Sequence, residues 1–384
     1  LIIIWVNKRN WKYPGPIVNV AVHNAAAYAK LGYETHFCIG AGDPSDTQKD
    51  LEDFYGLPVR SNFTIHRIPR RKIGKRSYSQ SIFKYAFTLA RKLASKDQVA
   101  VISRETSFLW PLARLCRHPG IQGYYEMHDF NADLSWMTGR KGTNRHRKKI
   151  LERLFIPYID GLIAITQKQQ HLYRQVFPKI PSVSFPLGTK LRSPQDPEKK
   201  RMRRTLMYVG HMHGDKGVDF LFQTAAALAD EKIKTVFWGG NESKLNGLRN
   251  NVKQLGLSEF VRFVGFQPPE KMHQAMAQEA SLGVVMLRDT FYNRYLTCPV
   301  KALDYLSHGL PSIGSDLPAV QEVLGSAGLY IRPDDTRQFT QKVLMILNDP
   351  EHYKKKAALA VQRAKEISWE NRAATICEFI KKTG

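Results

Sequence analysis

The sequence predicts an α/β protein made of two doubly wound domains of parallel strands. Three observations predict it. Short apolar runs alternate with helical stretches along the whole chain, the order that βαβ units require. The length of 384 residues exceeds one compact core and suits two. A polar, basic stretch, Thr189–Arg204, separates one series of strands from the next.

In the first series, Leu1–Val6 is an unbroken apolar run and reads as a buried strand. The turn Tyr13-Pro14-Gly15-Pro16 leads into a helix from about Val18 to Leu31, closed by Gly32. Further strands are expected at Tyr33–Ile39, Phe63–Ile68, Val99–Ser103, Gly123–Met127 and Gly161–Ile165. The second series opens with strand Thr205–Val209, then helix Val218–Asp230, strand Thr235–Trp238, helix Lys244–Leu255 and strand Val261–Val264. It continues with helix Pro269–Gln278, strand Leu282–Met286, helix Pro299–Ser307, strand Pro311–Ser315 and helix Ala319–Val323. Helices Asp335–Asn348 and Glu351–Glu366 lead into Trp369–Lys382. The expected domains are 1–187, 188–366 and a terminal helical segment, 367–384. Parallel sheets of this kind bind ligands outside the carboxyl ends of their strands, in a crevice where strand order reverses.

Composition narrows the class. Hydrophobic residues at 43% and charged residues at 24% exclude disordered and collagen-like chains. No apolar run approaches the length of a membrane span, and the six apolar residues at the start lack the layout of a signal peptide. Cys38, Cys116, Cys298 and Cys377 lie far apart with no CxxC pair, which argues against a zinc site or disulfide framework and fits a reducing cytosol. The charge is the unusual feature: +24 overall. Residues 60–153 hold 21 basic and 6 acidic side chains. Such a field attracts nucleic acid, an anionic membrane or an anionic substrate without choosing among them.

Two segments carry chemistry. Val209-Gly210-His211-Met212-His213-Gly214-Asp215-Lys216-Gly217-Val218 follows a strand and opens a helix. Its glycines let backbone approach a ligand, the helix start offers unpaired N–H groups to a phosphate, and Lys216 and His211 add cations. A tight turn with a solvated lysine is the plain alternative. In Thr297–Pro311, Pro299 suits a first helical turn, Lys301 falls in that turn, and Asp304 is the single acid of the helix. Asp304 could accept hydrogen bonds from sugar or ribose hydroxyls, or be a solvated surface acid.

Four segments in order, Gly210-His211-x4-Lys216-Gly217, Phe237-Trp238-Gly239-Gly240, Val261-Arg262-Phe263-Val264-Gly265-Phe266 and Asp304-Tyr305-Leu306-Ser307-His308-Gly309-Leu310-Pro311, resemble those of family 4 retaining glycosyltransferases. The resemblance spans about Met207 to Ile331. It implies the GT-B fold: two Rossmann-like domains facing across a cleft, with the last helix crossing back to the first and Trp369 as its anchor. It further implies that Lys216 holds the diphosphate of a nucleotide-sugar donor and that Asp304 binds the ribose. Gly210, His211, Gly240, Phe266, Arg294 and Lys301 would complete the donor site, with Asn293 beside Arg294 and Gly15 under the phosphates. His128 and Lys216 are the residues the resemblance puts at the reacting centre. Arg104 and Glu126 are expected near the acceptor or cleft.

The chain departs from the family pattern at three places. His211 stands where the phosphate-binding Arg is usual, Leu296 where a second acid is usual, and Arg104 where many relatives have a cleft histidine. Glu126-Met127-His128-Asp129 resembles the family's Val-x-His-Asp segment, so His128 would contact a sugar, although a satisfied loop histidine fits the same residues. No DxD pair marks a Mn²⁺ or Mg²⁺ site, and no cofactor is expected beyond a UDP-sugar or GDP-sugar substrate. The acceptor is expected to be a surface polysaccharide or lipid-linked glycan.

Two rival functions remain open on these residues: a non-catalytic GT-B partner subunit and a nucleic-acid-binding protein, the latter without a recognised motif. The run Ser81–Leu93 is helical, aromatic-rich and flanked by cations, and Arg140-Lys141 with Arg145–Lys149 forms a second basic cluster. These suit a cytoplasmic membrane surface. The alternative has Ile82, Phe83, Phe87 and Leu89 facing the core while the cations are solvated.

Overall fold

A computed structural model describes residues 1–13, 15–43, 45–58, 60–73, 76–137, 142–193, 195–212 and 218–384. The chain divides into two units, Leu1–Gly188 with Trp369–Gly384, and Thr189–Ser368.

Unit 1 runs β1 (Ile2–Asn10), α1 (Pro16–Lys30), β2 (Glu34–Gly40), α2 (Gln48–Tyr55), β3 (Phe63–Ile68), a hairpin of β4 (Arg71–Ile73) and β5 (Arg76–Tyr78), α3 (Gln80–Leu93), β6 (Val99–Ser103), α4 (Leu109–Leu115), β7 (Ile121–Met127), α5 (Thr143–Phe155), β8 (Gly161–Ala164), α6 (Gln167–Val176) and β9 (Ser182–Ser184). The seven-stranded sheet has the order β3-β2-β1-β6-β7-β8-β9, every pair parallel. The interior strand β1 buries Ile2 through Val6 completely or nearly so, because helices cover both faces of a parallel sheet. The strand runs on to Asn10 past an irregularity in register between Val6 and Asn10, which the apolar run alone does not signal.

Unit 2 runs α7 (Pro197–Met202), β10 (Thr205–Val209), α8 (Val218–Asp230), β11 (Lys234–Trp238), α9 (Glu242–Gln254), β12 (Val261–Val264), α10 (Pro269–Glu279), β13 (Leu282–Val285), α11 (Phe291–Tyr295), α12 (Val300–Ser307), β14 (Ser312–Ser315), α13 (Pro318–Leu324), β15 (Gly328–Ile331), α14 (Thr336–Asn348) and α15 (Pro350–Glu366). Its parallel sheet is ordered β12-β11-β10-β13-β14-β15. In both sheets the order reverses beside the first strand, between β1 and β6 and between β10 and β13. Those are the positions where doubly wound sheets open a crevice.

The basic stretch after Gly188 is part of unit 2 and not a spacer. The Thr189 hydroxyl donates to the Leu303 carbonyl at 2.8 Å, and the Arg192 amide donates to the Ser307 carbonyl. Asp196 caps α7 by accepting from the Glu198 amide, and Lys200, 2% exposed, donates to the His308 carbonyl.

The last helix, α16 (Trp369–Thr383), returns to unit 1. Trp369 is buried and its ring stacks on His23 of α1, centroids 6.4 Å apart. A Cβ on Gly188 would fall 2.5 Å from the Trp369 ring, so only glycine fits there. Lys30 of α1 pairs with Glu370. In α3, Ile82 and Phe83 are buried, Phe87 and Leu89 half-buried, and Tyr85 exposed, so most of its apolar face belongs to the core. None of the four cysteines is in a disulfide. Among the described residues no helix is long and apolar enough to cross a membrane.

Candidate functional site

In unit 2 the strand ends are laced together by backbone. The Gly210 amide, after β10, donates to the Trp238 carbonyl at 2.9 Å, and the Gly239 amide, after β11, donates to Val264 at 2.9 Å. The Phe266 amide, after β12, donates to Gly240 at 3.2 Å. The close approach dictates glycine. A Cβ on Gly239 would lie 2.4 Å from the Gly210 oxygen, and Gly239 and Gly240 have φ of 112° and 85°, in the left-handed region. The result is a backbone ledge at the carboxyl ends of three adjacent strands, with Phe266 54% exposed beyond it.

Helix α12 is fastened against this ledge. The buried Tyr305 hydroxyl donates to the Met207 carbonyl at 2.8 Å and accepts from the Val209 amide at 3.0 Å. Lys301, one turn earlier, lies with Nζ 3.6 Å from the centre of the Tyr208 ring, a cation–π contact, and approaches Gly210. The Tyr208 hydroxyl in turn donates to the carbonyl of His211, whose side chain is exposed. Gly210, His211, Lys301 and Tyr208 therefore meet at the end of β10. Residues 213–217, and with them Lys216, lie outside the described residues.

Asp304 follows Lys301 by three residues and so shares its side of α12. Its side chain is 18% exposed, and its carboxylate lies 3.9 Å from His273 Nε2. Burial pushes the Asp304 carboxyl up to about 7, against the pull of Arg192. His273 Nδ1 is 3.1 Å from His308 Nε2, and burial pushes His308 down to about 4. Arg192 is held by Glu270 through two hydrogen bonds, at 2.9 and 3.1 Å. Neither His273 nor His308 was singled out by sequence, since one is a lone histidine inside α10 and the other a lone histidine at the end of α12.

The other sequence-predicted residues of this unit lie on α11 and at the start of α12. Arg294, expected to line a donor-sugar pocket, has its guanidinium bound by both oxygens of Asp289. Asn293, expected beside it, is 2% exposed and donates to the Arg288 carbonyl. Pro299 caps α12 from outside and the helix starts at Val300. Leu296, where a second acid is usual, is fully buried.

Unit 1 brings together Arg104, Glu126 and His128 at the ends of β6 and β7. Glu126, expected as an acceptor contact, is 0% exposed and fully engaged. One oxygen meets His128 Nε2 at 2.6 Å; the other accepts from Asn24 at 3.0 Å and from Arg372 at 2.6 Å. It is an internal support for His128. Burial, then the nearby charge of Arg104, hold His128 down to about 4 against the attraction of Glu126. Arg372, also 0% exposed, was missed because it lies 246 residues from its partner. Gly15 precedes α1 with φ 99°. Among the described residues no group of three or more His, Cys, Asp or Glu is placed to hold a metal.

Residues 203–349 match the family described as glycosyl transferases group 1. A D-inositol 3-phosphate glycosyltransferase of Corynebacterium urealyticum is 24% identical over 188 residues, 46% of this chain and 43% of its own length. The O-antigen chain mannosyltransferase B of Escherichia coli is 24% identical over 168 residues, 43% of this chain and 42% of its own. The chain thus spans less than half the length of these curated relatives. The structure resembles Anabaena HepE in complex with UDP-glucose, with a TM-score of 0.68 and 15% identity over 99% of both chains. At such identity the likeness speaks for the fold, GT-B, and not for a substrate.

Proposed function

We propose, from the match of residues 203–349 to the glycosyl transferases group 1 family, that the chain moves a sugar from a UDP-sugar or GDP-sugar to an acceptor hydroxyl with retention of anomeric configuration. The observation that carries this reading is the ledge of Gly210, Gly239 and Gly240 beside Lys301 and Asp304. Bare backbone at strand ends admits a diphosphate, and Lys301 with the N-terminal end of α12 supplies positive potential for the charge that builds on the departing nucleoside diphosphate. Lys216 is assigned the same role from the sequence. Asp304 binds the ribose hydroxyls and Phe266 borders the base. His128 contacts a sugar hydroxyl in unit 1.

The acceptor in this reading is a surface polysaccharide or lipid-linked glycan, which the likeness to an O-antigen mannosyltransferase supports. Attachment to an anionic membrane face fits that acceptor, on α5 rather than α3. Ile150 (57%) and Leu154 (56%) stand exposed one turn apart on α5, Tyr158 is exposed just beyond it, and Arg147, Lys148 and Lys149 precede them. Apolar side chains ringed by cations suit an anionic interface.

The direct experiment offers a panel of UDP- and GDP-sugars with simple glycan acceptors and measures nucleoside diphosphate release. Release with one base and inversion-free product is the expected result. Nucleotide binding with no turnover for any sugar would instead favour the non-catalytic partner, to which His211, Leu296 and Arg104 also point.

A further inference from the structure

We propose that Arg372, on α16, is a positioning residue for His128: it holds the Glu126 carboxylate, and that carboxylate fixes His128 with its proton on Nε2, leaving Nδ1 to accept a hydrogen bond from a sugar hydroxyl. The last clause rests on the reading of unit 1 given above; the first two rest on geometry alone.

Arg372 and Glu126 are both 0% exposed. A buried carboxylate persists as an anion only when its oxygens are satisfied and its charge matched. Glu126 meets both conditions. The guanidinium lies 2.6 Å from one oxygen, Asn24 donates to the same oxygen at 3.0 Å, and the pairing holds Glu126 down to about 2 against the effect of burial. An ionised carboxylate only accepts hydrogen bonds. His128 Nε2, 2.6 Å from the other oxygen, must therefore be the donor.

The charged groups that act on the His128 ring are Glu126 on β7, Arg104 beyond β6 and Arg372 on α16. Two of the three are cations, and burial adds to them, so the ring is neutral at physiological pH. A neutral imidazole with its proton on Nε2 carries a lone pair on Nδ1. Nδ1 has no hydrogen-bond partner among the described residues, and the side chain is 14% exposed. With Nε2–H given to Glu126, the Nδ1 of His128 is thus an oriented acceptor at the end of β7.

Arg372 does a second thing. Its other terminal nitrogen donates to the carbonyls of Phe185 and Pro186, the latter at 3.0 Å. One planar guanidinium thereby ties the carboxylate to the end of the unit 1 chain just before Gly188. A lysine, with a compact ammonium, cannot span both sets of acceptors. The terminal helix is then required for the chemistry of His128 as well as for packing.

The test begins on the intact parent chain labelled with ¹⁵N-histidine, with His128 assigned by its loss in His128→Gln. The expected spectrum shows His128 neutral with its proton on Nε2 from pH 5 to pH 8. A proton on Nδ1, or titration near the ordinary histidine value, would overturn the proposal. This measurement needs no substrate, so it stands even if no donor is found and the transferase reading falls. Arg372→Lys keeps the buried positive charge and with it the fold. It should mix the two tautomers and lower sugar-transfer turnover at least tenfold, while UDP or GDP affinity stays at the parent value. Parent turnover and a parent His128 signal in Arg372→Lys would also overturn it. Full turnover in His128→Ala would remove the hydroxyl-accepting role.

Discussion

Replacing Asp304 by Asn should stabilise the protein and cripple ribose binding at the same time. The carboxyl is moved by burial from 3.8 to about 7. Between those values the unfolded chain has lost its proton and the folded chain keeps it, so folding stability falls as pH rises from about 4 to about 7. Above pH 7 the folded state carries a buried anion at a cost of about 4 kcal/mol at most. Asn has the same shape and no charge, so Asp304→Asn removes that cost without leaving a cavity. At pH 8 the variant should be more stable than the parent by up to ~4 kcal/mol, and at pH 4 the two should coincide. Binding should move the other way. A hydrogen bond to an ionised acceptor contributes about 1.5–3 kcal/mol, so uridine or guanosine and their diphosphates should all bind about 10- to 150-fold more weakly at pH 8. Below pH 6 that gap should shrink, because the parent carboxyl is then itself protonated. Urea unfolding at the two pH values and calorimetric titration with nucleoside and nucleotide measure both halves. An Asp304→Asn variant less stable than the parent at pH 8, or one that binds nucleosides like the parent, would refute the reasoning.

Lys216→Ala should weaken a nucleoside diphosphate by about 10- to 150-fold, from the loss of one charge-assisted contact, and should barely affect the nucleoside. Equal losses for both ligands would place Lys216 away from the phosphates. EDTA should leave transfer intact under the proposal that cations at the ledge serve the leaving group in place of a metal; full loss restored by Mn²⁺ would refute that. Purified protein should sediment with anionic vesicles and not neutral ones, and added salt should release it. Ile150→Ser with Leu154→Ser should abolish sedimentation, whereas unchanged sedimentation would move the membrane face elsewhere.

Sequence patterning read the central strands well because they are buried on both faces and so are continuously apolar, as in Val99–Ser103 and Leu282–Val285. Two short edge strands escaped it. The strand β9 (Ser182–Ser184) is half-buried and three residues long, and β15 (Gly328–Ile331) is short. Helix α7 was hidden in a basic stretch because Lys200, one of its two lysines, is buried by tertiary contact, which composition does not announce. The candidate site was legible where it is local: Gly210, Gly239, Gly240, Lys301 and Asp304 lie in short segments whose spacing reflects strand ends and helix starts. The parts that were not legible depend on partners far apart in sequence. Glu126 looked available until Arg372 and Asn24 were seen to occupy it, and Arg294 until Asp289 was.

The central claim is a donor site at the strand ends of unit 2, and a thermal-unfolding panel of UDP, GDP, ADP and their sugars tests it most directly. A ligand at a hundred times its dissociation constant stabilises the folded state by about 2.7 kcal/mol. For a unit of this size that is an increase in melting temperature on the order of 5 °C or more. The account predicts such an increase for UDP or GDP and for the matching sugar, with the unrelated base inert. A melting temperature unmoved by every nucleotide at millimolar concentration would contradict it.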